Sequence, residues 1–317
     1  MKDPLITIGI ATYNASNSIE RAVNSALSQS WEPLEIIIVD DCSKDNTYKK
    51  LKKLSSKYKE IRIFRNIKNH GIGYVRNIII KKTRGQFLAF FDDDDESMPD
   101  RLKLQYQRIL EYEKNLNHPS LVVCHTSRKV IYPNGKIRIE GTLGTKINSK
   151  SPFGLPVARR ILLGEPLKDG YGACPTCCQM ARITTYLDAG GFDERFRRSE
   201  DTDFCIRLAI KGAHFVGIKK HLVLQRMTKT SDKSINIEFK YANLLLKKHQ
   251  DFINKNGNYK FCIYWQKIKY SFYKRELKKI ITIFSFLIIL YPQKTLLRLF
   301  QSLKSIQINM DYLLFHK

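Results

Sequence analysis

Four short apolar runs, each of strand length and each followed by a more polar stretch, constrain this chain more than any other feature. They are residues 5–11 (LITIGIA), 34–39 (LEIIIV), 61–65 (IRIFR) and 87–91 (FLAFF). The first, second and fourth are nearly continuous rather than alternating, which predicts strands buried on both faces. Between the first two, residues 17–29 place Ile19, Ala22, Val23, Ala26 and Leu27 at the i, i+3, i+4, i+7 and i+8 spacing of an amphipathic helix. Ser16 or Asn17 is available to cap it. Residues 47–58 and 73–82 also read as helices, and Ser97, followed by Pro99 and Asp100, reads as the cap of another. Strands buried on both faces that alternate with helices predict an α/β fold, a mostly parallel sheet flanked by helices. Ligands of such sheets bind beyond the carboxyl ends of the strands.

Polar clusters stand at those ends. Thr12, Tyr13 and Asn14 follow the first run, Asp40 and Asp41 the second, and the four aspartates Asp92–Asp95 the fourth. Adjacent carboxylates raise one another's pKa unless a positive charge intervenes. A hard divalent cation is such a charge, and it takes one or two carboxylates together with substrate phosphates. A solvated acidic turn capping the next helix is the plainer alternative, but three polar clusters on one sheet edge favour a ligand site. Asp40 suits a base N–H or a ribose hydroxyl, whereas Ser43, Asp45 and Asn46 have the composition of a turn.

Gly71–Asn77 (GIGYVRN) begins like a dinucleotide fingerprint but has Arg76 where a third glycine belongs, and it does not follow the first strand. Its glycines permit phosphate approach, and Arg76 can instead pair with a carboxylate of the aspartate run. A second acidic group, GGFDE at 190–194 and SEDTD at 199–203, opens a helix where the macrodipole favours carboxylates whatever their role. Either Glu200 or Asp201 can serve as a general base. Cys174, Cys177 and Cys178 have no second Cys or His pair at zinc-ribbon spacing, so they read as small buried thiols.

Further along, residues 121–125 and 174–183 read as strands, 132–136 (YPNGK) as a hairpin turn, 140–173 as a long loop and 200–211 as a helix. Beyond about residue 239 the chain becomes lysine-rich and helical. The expected division is a first domain over 1–225 and a basic helical region over 226–317. Residues 211–317 hold 21 Lys and Arg against 5 Asp and Glu, so they carry most of the formal charge of +25. That surface attracts polyanions, whether nucleic acid, anionic lipid or an acidic polymer. The apolar run 280–290 falls short of the ~20 residues that cross a bilayer; it reads either as a helix packed on the globular domain or, given its flanking lysines, as an interfacial anchor. No helix–turn–helix, zinc or sheet-platform motif accompanies the charge, so no nucleic-acid partner is expected. Seven cysteines without framework spacing, and no leader segment before Leu5, predict reduced thiols and a cytoplasmic protein.

The stretches ITIGIATYNAS, EIIIVDDCSKDNT, GIGYVRN, FLAFFDDDDESMPDRL, GGFDE and SEDTDFCIRL, in that order over about residues 5–220, resemble family 2 glycosyltransferases of the GT-A fold. Ala11 stands where that family often has proline, and the fourfold aspartate run leaves the metal register ambiguous. Aligning FFDDDD with the family's pattern makes Asp92 and Asp94 the DxD pair. The resemblance implies inverting sugar transfer from a nucleotide-sugar donor, most often UDP-linked, with Mn²⁺ or Mg²⁺ as cofactor. Carried over, it assigns the donor to Thr12, Tyr13, Asn14, Asp40, Arg76, Asp92 and Asp93, the metal to Asp94 and the base role to Asp201. Asp193 and Glu200 fall on the acceptor side. The implied acceptor is a saccharide or lipid-linked saccharide in surface-polysaccharide or lipopolysaccharide synthesis. The basic tail would then make peripheral contact with the anionic inner face of the cell membrane. A nucleic-acid-binding protein, a nucleotidyltransferase and an inactive nucleotide-binding homologue are the competing readings.

Overall fold

The structure, a computed structural model, describes residues 3–116, 121–147, 149–168, 174–228, 234–303 and 306–315. The chain opens with β1 (Ile6–Thr12), α1 (Ile19–Leu27), β2 (Leu34–Asp40), α2 (Thr47–Lys57), β3 (Ile61–Arg65), α3 (Ile72–Lys82) and β4 (Phe87–Asp92). These strands lie parallel in the order β3-β2-β1-β4, as their apolar runs predict. Side chains on both faces of β1, β2 and β4 are buried almost throughout. Helix α3 lies so close to β1 that a Cβ on Gly9 would fall 2.4 Å from Ile79 Cγ2.

The chain continues through β5 (Glu96–Ser97), α4 (Arg101–Asn115), β6 (Val122–Ile131), β7 (Ile137–Glu140), α5 (Leu155–Leu163), β8 (Gln179–Arg182), α6 (Ile183–Asp188), α7 (Glu200–Ile210) and β9 (His214–Arg226). The sheet extends from β4 through β8, β6 and β9 to β5, with β7 beside β6. This half is mixed: β8 is antiparallel to β4 and β6, β7 to β6 and β5 to β9, while β6 and β9 run parallel. The turn predicted at 132–136 joins β6 to β7, with Gly135 N–H donating to Tyr132 O at 2.9 Å.

Three local expectations are corrected. Ser97 does not cap a helix: it lies in β5, its hydroxyl accepts from Arg101 Nη1 at 2.8 Å, and α4 begins after Asp100. The segment 140–173 is not one long loop, because Leu155–Leu163 forms α5 with Val157, Ala158 and Leu162 buried; residues 148 and 169–173 lie outside the described residues. Residues 174–183 are only part strand, since Thr176–Cys178 make a 3-10 turn ahead of β8.

The chain divides into two units, one of Met1–Leu155 with Lys168–Thr228, the other of Pro156–Leu167 with Lys229–Lys317. The second contains α5 from Pro156 onward and then α8 (Ile235–Lys248), α9 (Gln250–Asn256), α10 (Tyr259–Lys274), α11 (Leu277–Leu290), α12 (Pro292–Leu303) and α13 (Ile306–Phe315). Its packing centres on Phe261 and Trp265 of α10 against Leu287 of α11. Pro292 opens α12, where its missing N–H is no loss. Among the described residues no helix is long and apolar enough to cross a membrane.

Candidate active site

Register assembles the site. Thr12 pairs with Asp40 across β1 and β2, Asp40 with Arg65 across β2 and β3, and Ala11 with Asp92 across β1 and β4. All three predicted clusters therefore share one edge of the parallel half-sheet. Asp40 is fully buried there. It accepts from Ser43 N–H at 3.2 Å and pairs with Arg65 Nε at 3.1 Å. Asn14 takes a left-handed backbone (φ 52) and ties the first loop to the second. Its N–H donates to Ser43 Oγ and its Oδ1 accepts from Lys44 N–H, both at 2.8 Å. Tyr13 is exposed, and its N–H donates to Asp93 Oδ2 at 3.3 Å. Asp45 serves the turn, as its composition suggests. Burial opposes its charge, but donors from Thr47 and Ser16 outweigh that and hold its carboxyl down at about 2.

Within the aspartate run the four side chains diverge. Asp92 is part-exposed and lies 3.5 Å from Arg76 Nη2. Burial and the neighbouring charges of Asp94 and Asp92 push the Asp93 carboxyl up to about 7. Asp94 accepts from Thr228 Oγ1 at 2.9 Å, and its carbonyl accepts from Arg21 Nη2 at 2.7 Å. Asp95 is buried. Its Oδ1 accepts from Arg226 N–H at 3.1 Å, while Oδ2 has no hydrogen-bond partner among the described residues. Burial and the charges of Asp92 and Asp94 raise the Asp95 carboxyl well above the usual range. Asp92, Asp95 and Cys177 each bring a ligand atom within 4.8 Å of the others. Crowded carboxylates with an orphaned buried oxygen fit a divalent cation by their donor chemistry.

Arg76 links this edge to the second acidic group. Its guanidinium is buried, with Nη1 2.5 Å from Glu200 Oε1 and Nη2 turned to Asp92. Asp201 also lies within electrostatic reach of it. Glu200, Asp201 and Asp203 occupy the first turn of α7, behind Ser199 in a left-handed conformation (φ 65). Asp203 is buried against Arg207 at 2.8 Å. Asp201 differs from both: among the described residues its Oδ1 accepts from its neighbour Thr202 alone, the N–H at 2.7 Å and the hydroxyl at 3.2 Å. Asp193 pairs with Arg195 at 2.6 Å. The loop holding Asp193 is pinned to α3, where Asn77 donates to Phe192 O and accepts from Phe192 N–H at 2.9 and 2.7 Å.

A model of glycosyl transferase family 2 matches residues 7–174, which include the whole aspartate edge and Arg76. The chain belongs to that family. Relatives include the succinoglycan biosynthesis protein ExoO of Rhizobium meliloti, 36% identical over 107 residues, 34% of this chain and 30% of that protein. A putative teichuronic acid biosynthesis glycosyltransferase, TuaG of Bacillus subtilis, is 35% identical over 108 residues, 34% of this chain and 43% of its own length. Among eight curated relatives, the matched part covers between 20% and 57% of their length. In structure the chain is similar to TarS 1-349 of S. aureus, solved in complex with UDP-GlcNAc. The TM-score is 0.62 at 17% identity, covering 98% of this chain and 90% of the other. The fold is therefore GT-A.

Asp41, which stood in the second polar cluster without a role of its own, and residues outside every cluster complete this family 2 site. Asp41 accepts from Asn66 Nδ2, His70 N–H and Gly71 N–H at 2.7 to 3.0 Å and so clamps the loop that starts α3. Its place beside Asp40 was the one available signal. Arg21, Arg226 and Thr228 brace the aspartate loop across sequence distances that no local pattern reveals. His125, Cys174 and Cys205 also converge. They have protein partners: a His125 ring nitrogen lies 3.0 Å from the Gln179 amide, and Cys205 donates to Cys174 O at 3.7 Å. Cys205 is buried, as a small thiol ordinarily is, whereas Cys174, read from the sequence as buried, is only partly so.

Proposed function

We propose that the chain is an inverting glycosyltransferase. It would move a hexosyl or N-acetylhexosaminyl group from a nucleotide-sugar, a UDP-sugar first among the candidates, to a hydroxyl of a saccharide or lipid-linked acceptor. The observation that carries this reading is the single edge on which register and Arg76 gather Thr12, Asp40, Asp92, Glu200 and Asp201. The names of the relatives, and the UDP-GlcNAc bound by TarS, support the donor class and a role in bacterial surface-polysaccharide synthesis. In that setting the chain would work at the inner face of the cell membrane.

Thr12, Tyr13 and Asn14 form the wall against which the nucleotide rests, and Asp40, braced by Arg65, stands behind it. Asp92 and Asp93 face the ribose and diphosphate. Asp94, with Asp92 and the free oxygen of Asp95 nearby, would hold Mn²⁺ or Mg²⁺. A cation held by these carboxylates would supply positive charge against the charge that builds on a departing diphosphate. Arg76 fixes the Asp92 carboxylate relative to the start of α7. Asp193 and Glu200 lie toward the acceptor. Glu200 is committed to Arg76, whereas Asp201 has no cation paired to it among the described residues, so Asp201 is the group free to take the acceptor proton. Direct inversion needs no covalent nucleophile.

The test compares wild type with Asp201→Asn, following transfer of a labelled sugar and, separately, donor binding. Transfer should fall by at least about 100-fold, the lower range for a general base, with donor affinity within a factor of two or so. Transfer surviving near the wild-type rate would remove Asp201 from this role.

A further inference from the structure

Helix α12 has its polarity reversed. Its one buried residue is Thr295, whose hydroxyl lies 3.0 Å from Leu287 O and 2.8 Å from Tyr291 O. The apolar residues of the same helix point outward. Leu296, Phe300 and Leu303, at i, i+4 and i+7, are 58%, 63% and 54% exposed. A helix that packs by its apolar stripe shows the opposite arrangement. Its neighbour α11 repeats the pattern. Leu287 faces inward against Phe261 and Trp265, while Ile281 and Ile289 on the far side are exposed. Isolated exposed leucines are ordinary, but exposed apolar residues repeated along two consecutive helices mark an interaction surface.

Charge decides what covers it. Lys274, Arg275, Lys278, Lys279 and Lys294 border these faces and are all exposed, and Glu276 is the only acidic residue from 274 to 303. A second copy docked on this face would bring like charges together. Phospholipid headgroups of negative charge would neutralise them while the acyl boundary takes the leucines. We propose that the outward faces of α11 and α12 form an interfacial docking surface for an anionic lipid bilayer. Neither helix spans the membrane; both lie in its plane. This gives the membrane location proposed above a particular surface, and it is independent of the donor chemistry.

The experiment is co-sedimentation of the full chain with vesicles of phosphatidylcholine alone or with one quarter phosphatidylglycerol, at low and high salt. The variants are Leu296→Glu/Phe300→Glu and Lys278→Glu/Lys279→Glu. Both pairs are exposed, and thermal melts establish that each variant is folded. UDP binding of each variant is measured alongside, so loss of the donor reading and loss of lipid docking register separately. Wild type should partition onto the anionic vesicles at least tenfold better than onto neutral ones, with the preference falling at high salt. Each variant should lose at least tenfold. Absence of wild-type binding, equal binding to both vesicle types, or variants that bind like wild type would overturn the proposal. So would a lipid-free dimer that Leu296→Glu/Phe300→Glu dissociates, since a second copy would then be the occupant.

Discussion

Arg76 carries more of the site than any other single residue. Pairing with a carboxylate of the aspartate run is legible in sequence, and the structure adds a second partner: Arg76 bridges Asp92 and Glu200, residues 108 apart in the chain. Removing one member of a buried ion pair strands the other. Arg76→Met should therefore destabilise the fold by about 3–5 kcal/mol. Glu200→Gln, which keeps an acceptor for the guanidinium, should cost clearly less. Urea midpoints of both variants read the difference, and equal small losses would mean that the pair contributes little. His125 gives a pH prediction. Burial, with a further contribution from the Arg101 charge, holds its imidazole down at about 3. The unfolded chain binds that proton near pH 6.5. A depressed folded value means the stabilisation is present above about pH 6.5 and is lost as pH falls toward 3. Wild type should lose melting temperature more steeply than His125→Gln between pH 7 and pH 4. Parallel curves would mean that His125 is not kept neutral. That His125 is buried follows from its place in β6, and nothing in the residues around it in sequence announces the Arg101 charge nearby.

At the level of elements, legibility followed continuity. β1, β2 and β4 are readable because both of their faces are buried, leaving apolar runs that no other element of that length produces. The polar ends of those strands are readable for the same reason. The mixed half of the sheet is not, because β5 and β8 are two and four residues long and owe their pairing to distant partners. Ser97 misleads for that reason, since its side chain serves Arg101 from within a strand. The GGFDE loop was legible as a motif but not as a contact. Gly191 has φ 66, and a Cβ there would lie 2.5 Å from Asn77 Oδ1. Gly191→Ala should cost more than about 1 kcal/mol. Asn77→Ala removes the loop's tether and should cost about 1–3 kcal/mol. The double variant should cost less than the sum, because the clash disappears with the Asn77 side chain. Strict additivity in denaturant melts would mean that the two residues do not meet.

For the whole molecule, the uneven charge was visible in residue counts, whereas the outward leucines of α12 were not. The helical stripe containing Leu296, Phe300 and Leu303 is legible in sequence, but the side it presents depends on Thr295 meeting α11. Family membership needed six motifs in order, each weak alone, and the fold then placed them on one edge. On the proposed function this edge would bind a nucleotide-sugar with a divalent cation beside its diphosphate. A thermal shift of the intact protein against UDP, GDP, CMP and dTDP, each with Mn²⁺ and with EDTA, tests it most directly. Ligand at 100 times its dissociation constant adds about 2.7 kcal/mol to the native state. A rise of several degrees with UDP and Mn²⁺, lost in EDTA, is the predicted result. No shift with any nucleotide would contradict the account.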